Sequence, residues 1–243
     1  MNSKLTKLLP IIFISFLGCS HSEANSHVIA KVPEASGISF CEDSNSLMVA
    51  NDEGSFYELS PKGDILAEHR LGKYDLEGVV CEKENIVFAE ETGSLLIVNR
   101  KTLKVKELKL KGKSFKLSKK AGIEGIAKKG DLYYLSIQAK TKEDSKILVA
   151  KAGANHAKVV DVIEHGIIDS AGLQFRGKTL YIVSDKKDKL YLYNLKKGKI
   201  KKKIKLDKFA QEGITFDNQN NIYFADDDGA VRKYSNKELK LPQ

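Results

Sequence analysis

Three glutamates occupy the same position of a recurring motif. Glu77, Glu124 and Glu212 each stand directly before a glycine and an aliphatic residue, in Asp75-Leu-Glu-Gly78-Val, Gly122-Ile-Glu-Gly125-Ile and Ala210-Gln-Glu-Gly213-Ile. Carboxylates brought together repel unless a proton or a cation neutralises them. An all-oxygen, carboxylate-rich set suits a hard divalent ion, Ca2+ before Mg2+. Asp75 and Asp169, just ahead of their motif glycines, are placed to add outer contacts. The plainer reading is that each Glu caps the backbone of a neighbouring turn and holds no metal. Spacing alone leaves both open.

Other chemistry-bearing groups are sparse. The chain has no His-Glu-x-x-His, Cys-x-x-Cys, Gly-x-Ser-x-Gly or phosphate-binding glycine loop. Asp226-Asp-Asp-Gly229 lacks the ligand spacing of a calcium-binding loop and reads as a turn. His165, four residues before Asp169, is a candidate general base; His21, His27, His69 and His156 have no evident partner. Cys41 and Cys81 fall four and three residues past their motif glycines in neighbouring units. They either form a disulfide or bury two small apolar groups apart, and the sequence leaves that open.

The elements that must position these residues follow from the repeat. Five units are headed by Gly37, Gly78, Gly125, Gly172 and Gly213, and Ser36, Glu77, Glu124, Ala171 and Glu212 form the column before the glycine. Each glycine opens a short strand. A second apolar run follows (Leu47–Ala50, Ile86–Ala89, Leu132–Leu135, Leu180–Val183 and Ile222–Ala225), then a third, and in most units a more polar fourth. Four strands at a period of 40 to 50 residues is the signature of a propeller. The expectation is an all-β, five-bladed β-propeller of four-stranded antiparallel blades over residues 28–243. Val28–Val32 is then the outer strand of the last blade. The glutamates ring one mouth of the central channel, joined there by the pairs Asn51-Asp52, Glu90-Glu91, Ser184-Asp185 and Asp226-Asp227 at the ends of second strands.

The start of the chain carries an address. Lys4 and Lys7 precede the apolar run Leu8–Leu17, which ends in Gly18-Cys19. That is an export signal too short to span a bilayer, and Leu17-Gly18-Cys19 resembles a bacterial lipobox. Residues 1–18 are expected to be removed, Cys19 to be lipidated, and 19–27 to serve as a polar tether. Ser20 in place of Asp favours the outer membrane, with the body facing the periplasm.

Composition is that of a globular chain: 243 residues, 42% hydrophobic, 30% charged, with only 4 Pro. The net charge of +9 is not gathered in a basic arm, so nucleic acid is not expected as a partner. Seven lysines lie within 196–205 and nine within 101–120. They read either as solvated outer strands, where charge deters edge-to-edge pairing, or as a patch facing anionic lipid or polysaccharide.

The Glu-Gly-Ile/Val motif, Asp169-Ser-Ala-Gly-Leu173 and Gln211-Glu-Gly-Ile-Thr-Phe-Asp217 resemble the SdiA-regulated family of exported β-propellers, distant kin of NHL-repeat and gluconolactonase-like propellers. The likeness spans roughly residues 28–243. It implies a five-bladed propeller with a bound calcium ion, favours metal over caps at Glu77, Glu124 and Glu212, and supplies no reaction. The functional expectation is a monomeric, lipid-anchored binding or scaffolding module that holds a ligand or protein at the channel face. The alternative is a metal-dependent hydrolase of an ester, lactone or phosphoester, whose ion would activate water.

Overall fold

The structure, a computed structural model, describes residues 27–112, 115, 117 and 121–242. The export signal, Cys19 and nearly all of the tether lie outside these residues. The described residues are all-β and propeller-like, with two single-turn 3-10 segments at Asp185–Lys187 and Leu195–Lys197. No described helix is long and apolar enough to cross a membrane.

Twenty strands form three four-stranded sheets and one eight-stranded sheet. The first runs β2 (Ala35–Cys41), β3 (Ser46–Asn51), β4 (Ser55–Leu59), β5 (Ile65–Arg70). The eight-stranded sheet has two antiparallel halves. These are β6 (Leu76–Cys81) to β9 (Val105–Lys111), through β7 (Asn85–Glu90) and β8 (Ser94–Asn99), and β10 (Ile123–Lys129) to β13 (Ala157–Glu164), through β11 (Leu132–Ile137) and β12 (Lys146–Ala152). The halves are hydrogen-bonded into one sheet by the short parallel pairing Ala157↔Leu110, Lys158↔Lys111 of β13 with β9. The third sheet is β14 (Ser170–Arg176), β15 (Thr179–Ser184), β16 (Lys189–Asn194), β17 (Lys199–Lys205). In the fourth, β18 (Gln211–Phe216), β19 (Ile222–Asp226) and β20 (Ala230–Tyr234) are completed by β1 (Val28–Ala30) from the other end of the chain. That closure uses the segment expected from the sequence, though the strand stops at Ala30.

The innermost strands β2, β6, β10, β14 and β18 pack against one another in a closed ring. Exposure grows outward along each sheet: β2 is buried throughout, whereas β17, Lys-Ile-Lys-Lys-Lys-Ile-Lys, is largely exposed. The core is divided into five hydrophobic clusters, each between neighbouring four-strand units. One sets Met48 and Phe56 against Val79, Phe88 and Leu96. Each such fully buried side chain contributes roughly 1.5–3 kcal/mol, which explains why the middle strands are short apolar runs rather than alternating ones.

Candidate functional site

Every innermost strand begins with the same irregularity. Pairing with the second strand slips between Ala35 and Gly37, Leu76 and Gly78, Ile123 and Gly125, Ser170 and Leu173, and Gln211 and Gly213. The residues passed over include Ser36, Glu77, Glu124, Ala171 and Glu212, the whole column before the glycine. A bulge takes its extra residue out of the ladder and re-aims the side chain. The glycines that follow let the strands meet. A Cβ on Gly37 would lie 2.7 Å from the Cα of Gly78, and one on Gly213 only 2.8 Å from the amide nitrogen of Ile38. At the ring's centre these glycines, the aliphatic residues after them, Glu77 and Glu212 enclose only about 10 Å³, room for a single water. The throat is shut.

Above this throat the three glutamates feel one another. Burial raises Glu77 far above the ordinary carboxylate range, and the charges of Glu124, Asp75 and Glu212 raise it further. Burial comes first for Glu212 too, followed by Glu124, Asp185, Asp227 and Asp169. Glu124, 8% exposed, is pushed up to about 7 by burial and then by Glu91, Asp169, Asp75 and Asp227. These are the signs of carboxylates crowded together without enough opposing charge. Among the described residues, the one lysine paired with this group is Lys186, 3.5 Å from Asp169.

The paired polar residues at the second-strand ends divide their labour. In three pairs the first member secures local backbone: Asn51 Nδ2 donates to the carbonyl of Pro33, Ser184 Oγ donates to that of Ile168, and Asp226 accepts from the amides of Ala210 and Asp228 and from Arg232 Nε at 2.6 Å, while in the fourth Glu90 accepts from the Thr92 hydroxyl. The second member, Asp52, Glu91, Asp185 or Asp227, joins the acidic mouth, and burial raises each of the four. Alternation along a strand end accounts for the split. Two further oxygens went unnoticed in the sequence. Glu34 couples to Asp52 and Asp227. Gln211 is fully buried and its Oε1 has no hydrogen-bond partner, as does Asp52 Oδ1.

The cap reading holds at one member of the column. Ser36 Oγ donates to the carbonyl of Leu76 in the next unit. No described backbone group donates to Glu77, Glu124 or Glu212. Nor do three or more His, Cys, Asp or Glu side chains among the described residues already stand in metal-ligand geometry. The donor set is nonetheless chemically suited to a hard cation: carboxylates from different strands, raised by mutual repulsion, beside two unpartnered oxygens.

His165 is not open to solvent at the mouth. Its ring is 7% exposed and edge-on to Tyr193, Nδ1 accepts from the amide of Ile167, and burial lowers its pKa to about 4. The opposite mouth carries a disulfide. Cys41 and Cys81 end β2 and β6 with Cα atoms 5.3 Å apart and are bonded, which resolves the pairing. They line a depression of about 460 Å³ in which Glu82 accepts from Lys128 Nζ and from the Tyr133 hydroxyl.

A sequence profile described as SdiA-regulated matches residues 21–227. No curated protein matches the chain. Among solved structures it is similar to the glutaminyl cyclase of Myxococcus xanthus, at 12% identity and a TM-score of 0.66, over 85% of this chain and 93% of that one. At that identity the likeness speaks for the fold alone. With the profile covering most of its length, from the tether to the end of β19, the chain belongs to the SdiA-regulated family.

Proposed function

We propose that this protein is an exported, lipid-anchored five-bladed propeller, the eight-stranded sheet counting as two blades, that binds a ligand or partner at its acidic mouth around a calcium-type ion. Five bulged inner strands and five clusters, each between neighbouring four-strand units, support the blade count. The observation that carries the ion is the crowd of raised carboxylates, with few cationic partners among the described residues. Glu77, Glu124 and Glu212 would hold it, with Asp75 and Asp169 in supporting contact. When bound, the ion supplies positive charge that lets these carboxylates ionise together. Binding is preferred to hydrolysis because the one histidine considered as a base, His165, is enclosed against Tyr193. The address, Cys19 acylated and the body facing the periplasm from the outer membrane, follows the lipobox and Ser20.

Calcium titrated into the protein should raise its melting temperature, and a chelator should reverse the rise. The stabilisation is about 2.7 kcal/mol at a hundredfold excess over the dissociation constant. Glu124→Gln should blunt this response without unfolding the chelated protein, because it removes repulsion as well as a ligand. Identical melting with calcium and with chelator would overturn the ion.

A further inference from the structure

We propose that the outer edge of the β14–β17 sheet is a docking surface for a bilayer rich in anionic phospholipid, set beside the point where the N-terminal tether joins the ring. The proposal takes the nearness of a membrane from the anchored reading above; the chemistry of the surface stands apart from it.

Two stretches of the chain are strongly basic: residues 100–120, with ten basic residues against Glu107, and the part of this sheet that lies beside the tether. Residues 178–208 hold twelve lysines against three aspartates, and elsewhere 29 basic residues are balanced by 29 acidic ones. The stretch carries as much net charge as the whole chain, and what singles it out from residues 100–120 is its place beside the tether. Its aspartates are engaged elsewhere: Asp185 belongs to the acidic mouth, Asp188 accepts from Gln211 Nε2 at 3.4 Å, and Asp207 accepts from the Tyr234 hydroxyl at 3.0 Å. Among the described residues of this stretch only Lys186 lies within ion-pair distance of a carboxylate. On β17, Lys199, Lys201, Lys203 and Lys205 are exposed, while a slip in register turns Ile200 and Ile204 into the clusters on opposite faces of the sheet, so the lysines line its edge from both sides. No acid and no aromatic lies on that strand, so it offers phosphates a row of charges but offers nucleic-acid bases nothing to stack on.

The tether enters next to this edge. His27 stacks on Tyr234 with ring centroids 3.9 Å apart, and its carbonyl accepts from the amide of Lys233. Tyr234 packs with Leu239, Leu241 and the inward face of Ile204. Lys202 Nζ closes the link by donating to the carbonyl of Lys240. The turn 235–241 thus borders both the tether's entry and β17. The eight residues from Ser20 to His27 span at most about 28 Å when fully extended. A body held that closely can bring lysines to within a Debye length, about 8 Å, of headgroup phosphates.

The test uses the chain from Ser20 onward, which holds every strand of the ring and no acylation site. Its sedimentation is measured with phosphatidylcholine vesicles and with the same vesicles doped with phosphatidylglycerol, at low and physiological salt. Binding should appear only with the anionic lipid and weaken with salt. The variant K199Q/K201Q/K203Q/K205Q, shown to melt like the wild type, should lose roughly a hundredfold or more in affinity. The charge-matched variant on and beside β9, K104Q/K106Q/K109Q/K111Q, should bind unchanged. No binding to anionic vesicles, equal loss in the β9 variant, or tighter binding to an oligonucleotide of matched phosphate content would each overturn the proposal. Acylation is read separately, by labelled fatty acid incorporated into the full chain and lost in Cys19→Ser, so the anchor can fail without this surface failing.

Discussion

Glu77 is held by its bulge where a charge is hard to keep, and this has a definite signature in pH. Its pKa is raised in the folded protein by burial and then by Glu124, Asp75 and Glu212, so between about 4.5 and that raised value the folded chain binds more protons than the unfolded one. Stability therefore falls as pH climbs through this window. In chelator, the melting temperature should decline from pH 5 to pH 8. Glu77→Gln, which cannot ionise, should flatten that decline, and an unchanged slope would remove the crowding as its source. The residues of the mouth are legible in the sequence because the column before the glycine repeats. Which member of Asn51-Asp52 or Asp226-Asp227 turns to the mouth is not, since it depends on where each second strand ends relative to the bulge opposite it.

At the level of the strand, the throat owes its closure to glycine, and the two kinds of glycine in this chain should behave differently. A Cβ on Gly78 would lie 2.8 Å from the amide nitrogen of Ile126 and 2.9 Å from the Cα of Gly125, backbone that cannot step aside. Gly166, at φ +66°, has open space around it. Gly78→Ala should accordingly cost roughly 3 kcal/mol by overpacking, and Gly166→Ala about 1 kcal/mol of backbone strain; denaturant melts of the two variants separate the cases. Strand order and the role of Val28–Ala30 are legible because apolar runs recur at a fixed interval. The five bulges leave no mark, because a residue skipped by the ladder looks in sequence like any other strand residue. The parallel contact of β9 with β13 is equally silent, resting on two residue pairs between strands that otherwise read as outer edges.

Across the whole molecule, one covalent bond ties the first two units and one strand ties the last unit to the start of the ring. The Cys41–Cys81 disulfide closes a loop with a sequence separation of 40, which restrains the unfolded chain by roughly 4 kcal/mol. Reduction, or Cys41→Ala with Cys81→Ala, should lower the unfolding free energy by that order and leave the calcium response proposed for the far mouth in place, because the shut throat lies between them. A calcium response lost together with the disulfide would mean the two mouths communicate. The sharing of one sheet by β1 and β20 has a different consequence. Val28 pairs with Arg232, so the two ends of the folded body are neighbours and the ring has no intrinsic beginning. Joining those ends and reopening the chain in the exposed loop 140–144 would leave every sheet intact while moving the tether to the sector between β11 and β12. Such a permuted chain would separate what folding requires from what attachment requires: the acidic mouth would be unchanged, but the lysine edge would no longer be next to the leash.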